Sequence, residues 1–124
     1  MSFLSHIVQL FRGNTTGSIP GGYQRISAAE VRKLLRADTS AKIVDVRTES
    51  EYRGQHIAGS ILIPVTVIAQ KAAVLLPNKQ AAIIVHCQSG HRSRQAARQL
   101  LAMGYTQVYD LGGITQWPYD TVSG

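Results

Sequence analysis

Cysteine is nearly absent from this chain of 124 residues, which contains only Cys87. A single thiol cannot form an internal disulfide, so the sequence excludes a small fold held together by disulfides. A chain of this length buries about two-thirds of its unfolded surface as one domain, which supplies a core without disulfides or structural metal. A lone thiol also fits a reducing compartment, and we therefore expect a cytoplasmic protein.

Long hydrophobic runs are absent as well. Apolar side chains recur at helical spacing in residues 1–12, but this segment is too short and too interrupted to span a bilayer. We predict no transmembrane segment, and we predict that residues 1–12 form an amphipathic segment. This segment would pack on its own domain, self-associate, or contact a partner or membrane surface. A linker rich in Gly, Ser and Thr at residues 13–22 separates it from the main domain, which we place at residues 23–120.

Acidic residues are scarce. The chain contains 7 Asp and Glu and 13 Lys and Arg, which gives a formal net charge of +6. Most of the basic residues are scattered along the chain. No aromatic-rich basic stripe or zinc-ligand spacing accompanies them, so we predict no nucleic-acid partner and no metal. One basic group is clustered, and it consists of His91, Arg92, Arg94 and Arg98. Its positive charge would concentrate a small anion near this part of the chain.

The one cysteine lies at an informative position, at the end of the apolar run from Ala81 to Val85. The loop that follows reads Cys87-Gln88-Ser89-Gly90-His91-Arg92-Ser93 and opens onto a predicted helix. Unpaired amides, the positive end of the helix dipole and a guanidinium all stabilise an anionic sulfur at such a place. We therefore predict that Cys87 is a nucleophile and that the other six residues form its substrate-binding loop. Gly90 would allow this loop to turn its amides inward.

Strand and helix patterns alternate along the chain, which predicts an α/β domain. The predicted strands are residues 23–26, 42–46, 60–63, 82–86 and 107–111, and the predicted helices are residues 27–36, 49–53, 67–75, 93–103 and 114–117. The run Ile83-Ile84-Val85 has no polar alternation, which predicts a mostly parallel five-stranded sheet with helices on both faces. In such sheets ligands bind beyond the carboxyl ends of the strands, where Cys87 lies.

The spacing of the loop distinguishes two kinds of cysteine site. Four residues separate Cys87 from Arg92, which is one fewer than in the signature of the cysteine-dependent phosphatases. A shorter loop makes a smaller ring of amides, and this ring suits a single terminal sulfur better than a tetrahedral phosphate or arsenate. In this spacing the sequence resembles the rhodanese family of sulfurtransferases.

Further blocks of sequence carry the same resemblance, which extends over roughly residues 24–117. These blocks are Ile43-Val44-Asp45-Val46-Arg47, Glu51-Tyr52, His56-Ile57-Ala58-Gly59-Ser60, Ile63-Pro64, Asp110-Leu111-Gly112-Gly113-Ile114 and Trp117. Two positions depart from the family pattern. Gln55 stands where the family usually has glycine, and Leu62 where it often has asparagine. Both positions lie outside the loop, so the departures concern local turns and leave the chemistry unchanged.

The resemblance implies a rhodanese-like fold and sulfur transfer through a persulfide. The Cys87 thiolate would take the outer sulfur of a small anionic donor such as thiosulfate and pass it to cyanide, an external thiol or an acceptor protein. The loop amides would hold the terminal sulfur, while Arg92, with Arg94 as a further candidate, would meet the negative oxygens of the donor. Around the loop, Asp45 would brace its neighbours and Arg47 would lie near the pocket. No metal or organic cofactor is implied.

Two alternatives to this function stay open. One is a phosphatase or arsenate reductase on the related fold, which the short spacing between Cys87 and Arg92 disfavours. The other is a module that carries a persulfide with little turnover of its own and delivers the sulfur to a partner protein.

Overall fold

The computed structural model of the protein describes residues 22–124. In chain order the elements are β1 (Gln24–Arg25), α1 (Ala28–Ala37), β2 (Lys42–Asp45), α2 (Glu49–Gly54), β3 (His56–Ile57), β4 (Ile61–Leu62), a 3-10 turn (Val65–Val67), α3 (Ile68–Leu75), β5 (Ala82–Cys87), α4 (His91–Ala102), β6 (Gln107–Gly113), a second 3-10 turn (Ile114–Gln116) and β7 (Thr121–Val122). The predicted amphipathic segment and nearly all of the predicted linker lie outside the described residues.

Five strands form one sheet in the order β1-β6-β5-β2-β4, and every neighbouring pair in it is parallel. The central strand is β5, and all six of its residues are buried. Its apolar run explains this position, because the central strand of a parallel sheet is covered on both faces. The structure confirms the predicted five-stranded α/β sheet.

Helices cover both faces of this sheet, as predicted. On one face Ile68 of α3 and Leu100 of α4 pack in a core that includes Ile83. On the other face Leu34 of α1 packs in a core that includes Ile84. Successive side chains of a strand point to opposite faces, so both isoleucines must be apolar. Within residues 22–124, no helix combines the length and the apolar character needed to cross a bilayer.

Two of the helices begin with a capping box. At the start of α1, Ser27 accepts the backbone N–H of Glu30, and the Glu30 side chain accepts the backbone N–H of Ser27. Thr48 and Glu51 form the same reciprocal pair at the start of α2. Each box satisfies two N–H groups that the helix itself leaves unpaired. The box in α2 also fixes the Glu51 side chain at the sheet edge where β2 ends.

The sequence pattern does not predict the second sheet, in which β3 and β7 pair antiparallel. Each of these strands has only two residues, which is too short for an alternation of apolar and polar side chains to be visible. The pairing places Thr121 opposite Ile57 and Val122 opposite His56. The fold therefore continues beyond residue 120, where the sequence analysis ends the domain.

Candidate functional site

The sulfur of Cys87 lies at the carboxyl end of the central strand, where two backbone amides point at it. The Sγ atom accepts the N–H of Gly90 at 3.0 Å and the N–H of Ser93 at 3.3 Å. Cys87 is free and buried. Both donors belong to the turn that opens α4, so the sulfur lies against the N-terminal amides of this helix.

The loop reaches this shape because of a glycine at the start of α4. Gly90 has φ of 109°, in the left-handed region that glycine adopts without strain. Its carbonyl accepts the N–H of Arg94 at 3.2 Å and the hydroxyl of Ser93 at 3.1 Å. The helix therefore begins at His91, two residues before the predicted start, and the amide of Ser93 becomes part of the turn around the sulfur.

A second glycine lets the loop pack closely against β6. A Cβ atom at Gly113 would overlap the carbonyl oxygen of Gln88 and crowd Ser89. Any larger residue at this position would displace the loop backbone. The last residue of β6 thus supports the first part of the loop from behind.

Arg92 does not project freely into the site, because Glu51 holds it. Its Nη1 and Nη2 atoms donate to Oε1 and Oε2 of Glu51 at 2.7 Å and 2.9 Å. The hydrogen bond from Arg92 lowers the pKa of Glu51 to about 2, and the same hydrogen bond raises the pKa of Arg92. This two-point contact ties the loop that follows Cys87 to the first turn of α2.

Asp45 and Arg47 form a buried ion pair beside the loop. Arg47 Nη2 lies 2.7 Å from Asp45 Oδ2, and both side chains are almost entirely excluded from water. The same guanidinium donates to the Gln88 side chain at 3.3 Å and to the Gln55 carbonyl at 2.6 Å. Arg47 therefore connects the end of β2 to the first residue after Cys87.

His86 precedes Cys87 on the central strand and is wholly buried. Its Nε2 atom lies 3.7 Å from Asp45 Oδ2, and its Nδ1 atom lies 3.5 Å from the Cys87 carbonyl oxygen. Burial lowers the pKa of His86, so the ring is neutral near pH 7. The hydrogen bonds to the Cys87 sulfur come from backbone amides, and His86 contacts the carboxylate and the main chain.

The remaining loop residues form the rim of the site. Gln88, Ser89 and His91 are exposed, whereas Ser93 is buried beneath the turn. Among residues 22–124 there is no group of three His, Cys, Asp or Glu side chains arranged to hold a metal ion. Within the described residues, the site consists of a buried sulfur, two backbone amides that donate to it and a polar rim.

Glu51 stands in one of the sequence blocks that resemble the family, but no contact with the loop is predicted for it. The signal for it is present, because Thr48 and Glu51 have the spacing of a capping box. That motif predicts a helix start but not a partner 41 residues away. An arginine in a nucleophile loop is nonetheless a reason to search for a nearby carboxylate.

Comparison with known proteins agrees with this architecture. The family model for the rhodanese-like domain matches residues 27–119. The chain is 35% identical over 81 residues to the thiosulfate sulfurtransferase PspE of Escherichia coli, covering 65% of this chain and 78% of that protein. It is 34% identical over 107 residues to the thiosulfate sulfurtransferase GlpE of Pseudomonas aeruginosa, covering 82% and 94% of the two chains. A solved rhodanese with anions from Escherichia coli superposes with a TM-score of 0.65 at 33% identity, over 68% of this chain and 99% of that one. The chain belongs to the family of rhodanese-like domains.

Proposed function

We propose that the protein is a sulfurtransferase that moves sulfane sulfur from a donor such as thiosulfate through a persulfide on Cys87. The observation that carries this proposal is the pair of amide N–H groups on the Cys87 sulfur, at 3.0 Å and 3.3 Å. Such donors favour the thiolate, which is the nucleophilic form of cysteine. The names of the relatives, thiosulfate sulfurtransferases, support the same class of donor.

The first half of the reaction loads the cysteine. The Cys87 thiolate attacks the outer sulfur of thiosulfate, a new S–S bond forms, and the bond between the two donor sulfurs breaks. Sulfite leaves with the electron pair of that bond, so no external oxidant or reductant is needed. The amides of the loop from Gln88 to Arg92 are the groups that we expect to hold the added sulfur.

The second half of the reaction transfers the sulfur from Cys87 to an acceptor. A thiophilic acceptor, which is cyanide, a thiol or a protein, attacks the outer sulfur, and Cys87 leaves as a thiolate. Because Cys87 is the only cysteine of the chain, no internal thiol can resolve the persulfide and the acceptor must be external. Transfer in two displacements predicts ping-pong kinetics.

Arg92 keeps the capacity to bind the donor although it is paired. A guanidinium has five N–H groups, and Glu51 occupies two of them, so three remain for the oxygens of thiosulfate. Glu51 also offsets the positive charge of Arg92. This balance allows the sulfite product to leave more easily than it would from an unpaired cation.

The chemistry also bears on cofactors and location. Both displacements balance with the cysteine, the donor and the acceptor alone, so we propose that neither a metal nor an organic cofactor takes part. An external thiol acceptor must be kept reduced, which favours a cytoplasmic location.

Mass spectrometry of the intact protein after incubation with thiosulfate tests the proposal. We expect the wild-type chain to gain the mass of one sulfur atom and a Cys87→Ala variant to gain none. If the wild type takes up no sulfur but hydrolyses an aryl phosphate or reduces arsenate, the phosphatase-like alternative is correct.

Kinetics with thiosulfate and cyanide separate an enzyme from a carrier. Parallel lines in double-reciprocal plots, with repeated turnover, identify a sulfurtransferase. Sulfur uptake in the absence of repeated turnover with small acceptors identifies a carrier module instead.

A further inference from the structure

One exposed face of α4 carries a stripe of basic and polar side chains next to the catalytic loop. Its members line a shallow groove of about 380 Å³ and are His91, Arg94, Gln95, Arg98, Gln99 and Ala102. These residues recur at intervals of three and four, so they lie along one side of the helix. We refer to them as the α4 stripe. The stripe begins at His91, within the loop that follows Cys87.

Within residues 22–124, the Arg98 end of the α4 stripe has no acidic partner, whereas Arg94 interacts with the Tyr23 hydroxyl, which donates to Asp110. The helix contains three arginines and no acidic residue. Arg92 pairs with Glu51, but no ion pair formed within residues 22–124 includes Arg94 or Arg98. Arg98 is also exposed to solvent. An anionic partner can therefore reach Arg98 without displacing any carboxylate of the described residues.

The stripe is too long to serve the small sulfur donor. The helix rises about 16 Å from His91 to Ala102, at about 1.5 Å per residue. Arg98 stands about 10 Å along the helix axis from His91, at the same rise per residue. A thiosulfate ion near Cys87 cannot contact both ends, whereas an extended segment of a larger molecule can contact the whole stripe.

The side chains of the stripe favour a protein segment over a nucleic acid or a membrane. No Phe, Tyr or Trp side chain lines the groove as a platform for stacked bases. No large apolar side chain lines it to enter a bilayer. Arginine forks bind carboxylates through paired hydrogen bonds, and the NH2 group of a glutamine side chain can donate one more. The chemistry of the stripe matches a run of Asp and Glu.

We propose that the α4 stripe docks an acidic segment of the protein that accepts sulfur from Cys87. This inference rests on the proposed function and adds the class of acceptor to it. A segment bound along the stripe leads to His91 and so brings a neighbouring cysteine to the catalytic loop. The acceptor thiolate then attacks the terminal sulfur of the persulfide and forms a new S–S bond. The bond to Cys87 Sγ breaks, and Cys87 leaves as a thiolate.

Synthetic peptides with one cysteine each provide the test. The cysteine is flanked by a run of Asp and Glu, of Ser and Gly, or of Lys, and sulfur transfer from the thiosulfate-loaded protein is timed. We expect the acidic peptide to react fastest, with an advantage that falls at high ionic strength. Arg98→Glu should slow the acidic peptide by about 5- to 10-fold and leave the neutral peptide unchanged. Arg36→Glu, at an exposed arginine in the last turn of α1, makes the same change of charge and should have little effect.

Three outcomes would overturn the inference. One is equal rates for the three peptides, and another is an effect of Arg36→Glu as large as that of Arg98→Glu, which would indicate bulk charge alone. The third is stronger competition by a single-stranded RNA oligomer than by an acidic peptide without cysteine. Anisotropy of a labelled acidic peptide on the unloaded protein measures docking separately. If binding depends on Arg98 but Cys87 takes up no sulfur, the docking surface stands and the proposed function is wrong.

Discussion

Replacing Glu51 by glutamine isolates the charge that holds Arg92. A glutamine at this position can still accept the backbone N–H of Thr48, so the helix cap is retained. The variant loses the carboxylate that receives Arg92 at 2.7 Å and 2.9 Å. We therefore expect the loop to be held less firmly and the folded state to be less stable.

The size of the effect follows from the pKa of Glu51, which falls from 4.5 to about 2. Without correction this shift corresponds to about 3.4 kcal/mol, at about 1.36 kcal/mol per pKa unit. The side chains of Arg92 and Glu51 are 33% and 30% exposed, so water screens the pair. We expect Glu51→Gln to lower the free energy of unfolding by about 1 to 2 kcal/mol near neutral pH, after this screening is taken into account.

The effect must also depend on pH. The folded state lowers the pKa of Glu51, so its carboxylate stabilises the fold above pH 4.5, and this stabilisation is lost as the pH falls toward about 2. The stability difference between the wild type and Glu51→Gln should shrink over the same interval. Less than about half of it should remain near pH 3.

Urea unfolding near neutral pH and near pH 3 measures both quantities. Glu49→Gln is the matched control on the same helix, because Glu49 pairs with Arg53 at 2.8 Å but the two side chains are 65% and 69% exposed. We expect this control to cost at most about 0.5 kcal/mol. The reasoning is refuted if Glu51→Gln costs no more than Glu49→Gln, or if its cost is the same at both pH values.

Three further predictions concern the loop. Cys87→Ser should abolish sulfur transfer from thiosulfate to cyanide while leaving the circular dichroism spectrum unchanged, because a hydroxyl is far less ionised than a thiol; retained activity would exclude the persulfide. Gly113→Ala should destabilise the fold by about 1 to 3 kcal/mol and slow sulfur uptake, since a Cβ overlaps the backbone of the loop. Gly54→Ala, where a Cβ meets nothing within 4 Å, is its control, and equal melting temperatures for the two variants would contradict this account. Inserting one residue between Gly90 and Arg92 should weaken sulfur transfer and improve the binding of vanadate. If turnover is unchanged and vanadate still does not bind, the length of the loop does not select the substrate.

The central part of the fold could be predicted from the sequence because its signals are local. The apolar run of β5 has one interpretation in an α/β domain, and the glycine-containing loop after it marks a turn into a helix. The strands β3 and β7 could not be predicted, because two residues carry no periodicity and their pairing joins distant parts of the chain. Short strands of this kind exist only because the surrounding fold brings them together.

The contacts around the loop depend on the register of the sheet. β2 pairs with β5 so that Asp45 lies opposite His86. Arg47 lies two residues after Asp45, and Gln88 lies two residues after His86. The side chains of Arg47 and Gln88 form a hydrogen bond of 3.3 Å. Parallel strands leave the sheet at the same edge, so residues that follow them at equal distances tend to stay close. This contact would follow from the sequence if the register were known.

Glu51 and Arg92 also follow paired residues of β2 and β5 at equal distances, and they form a contact farther from the ends of these strands. These residues are 41 positions apart, which is also the separation of Arg47 and Gln88. The apolar pattern alone cannot choose this register, because a shift of two residues keeps every side chain on its original face of the sheet. Such a shift would draw the Glu51 carboxylate away from Arg92 and separate this pair beside the loop that follows Cys87. The charged pair therefore adds a preference between registers that the apolar pattern alone does not distinguish, and the same contact that steadies the loop helps to specify the fold.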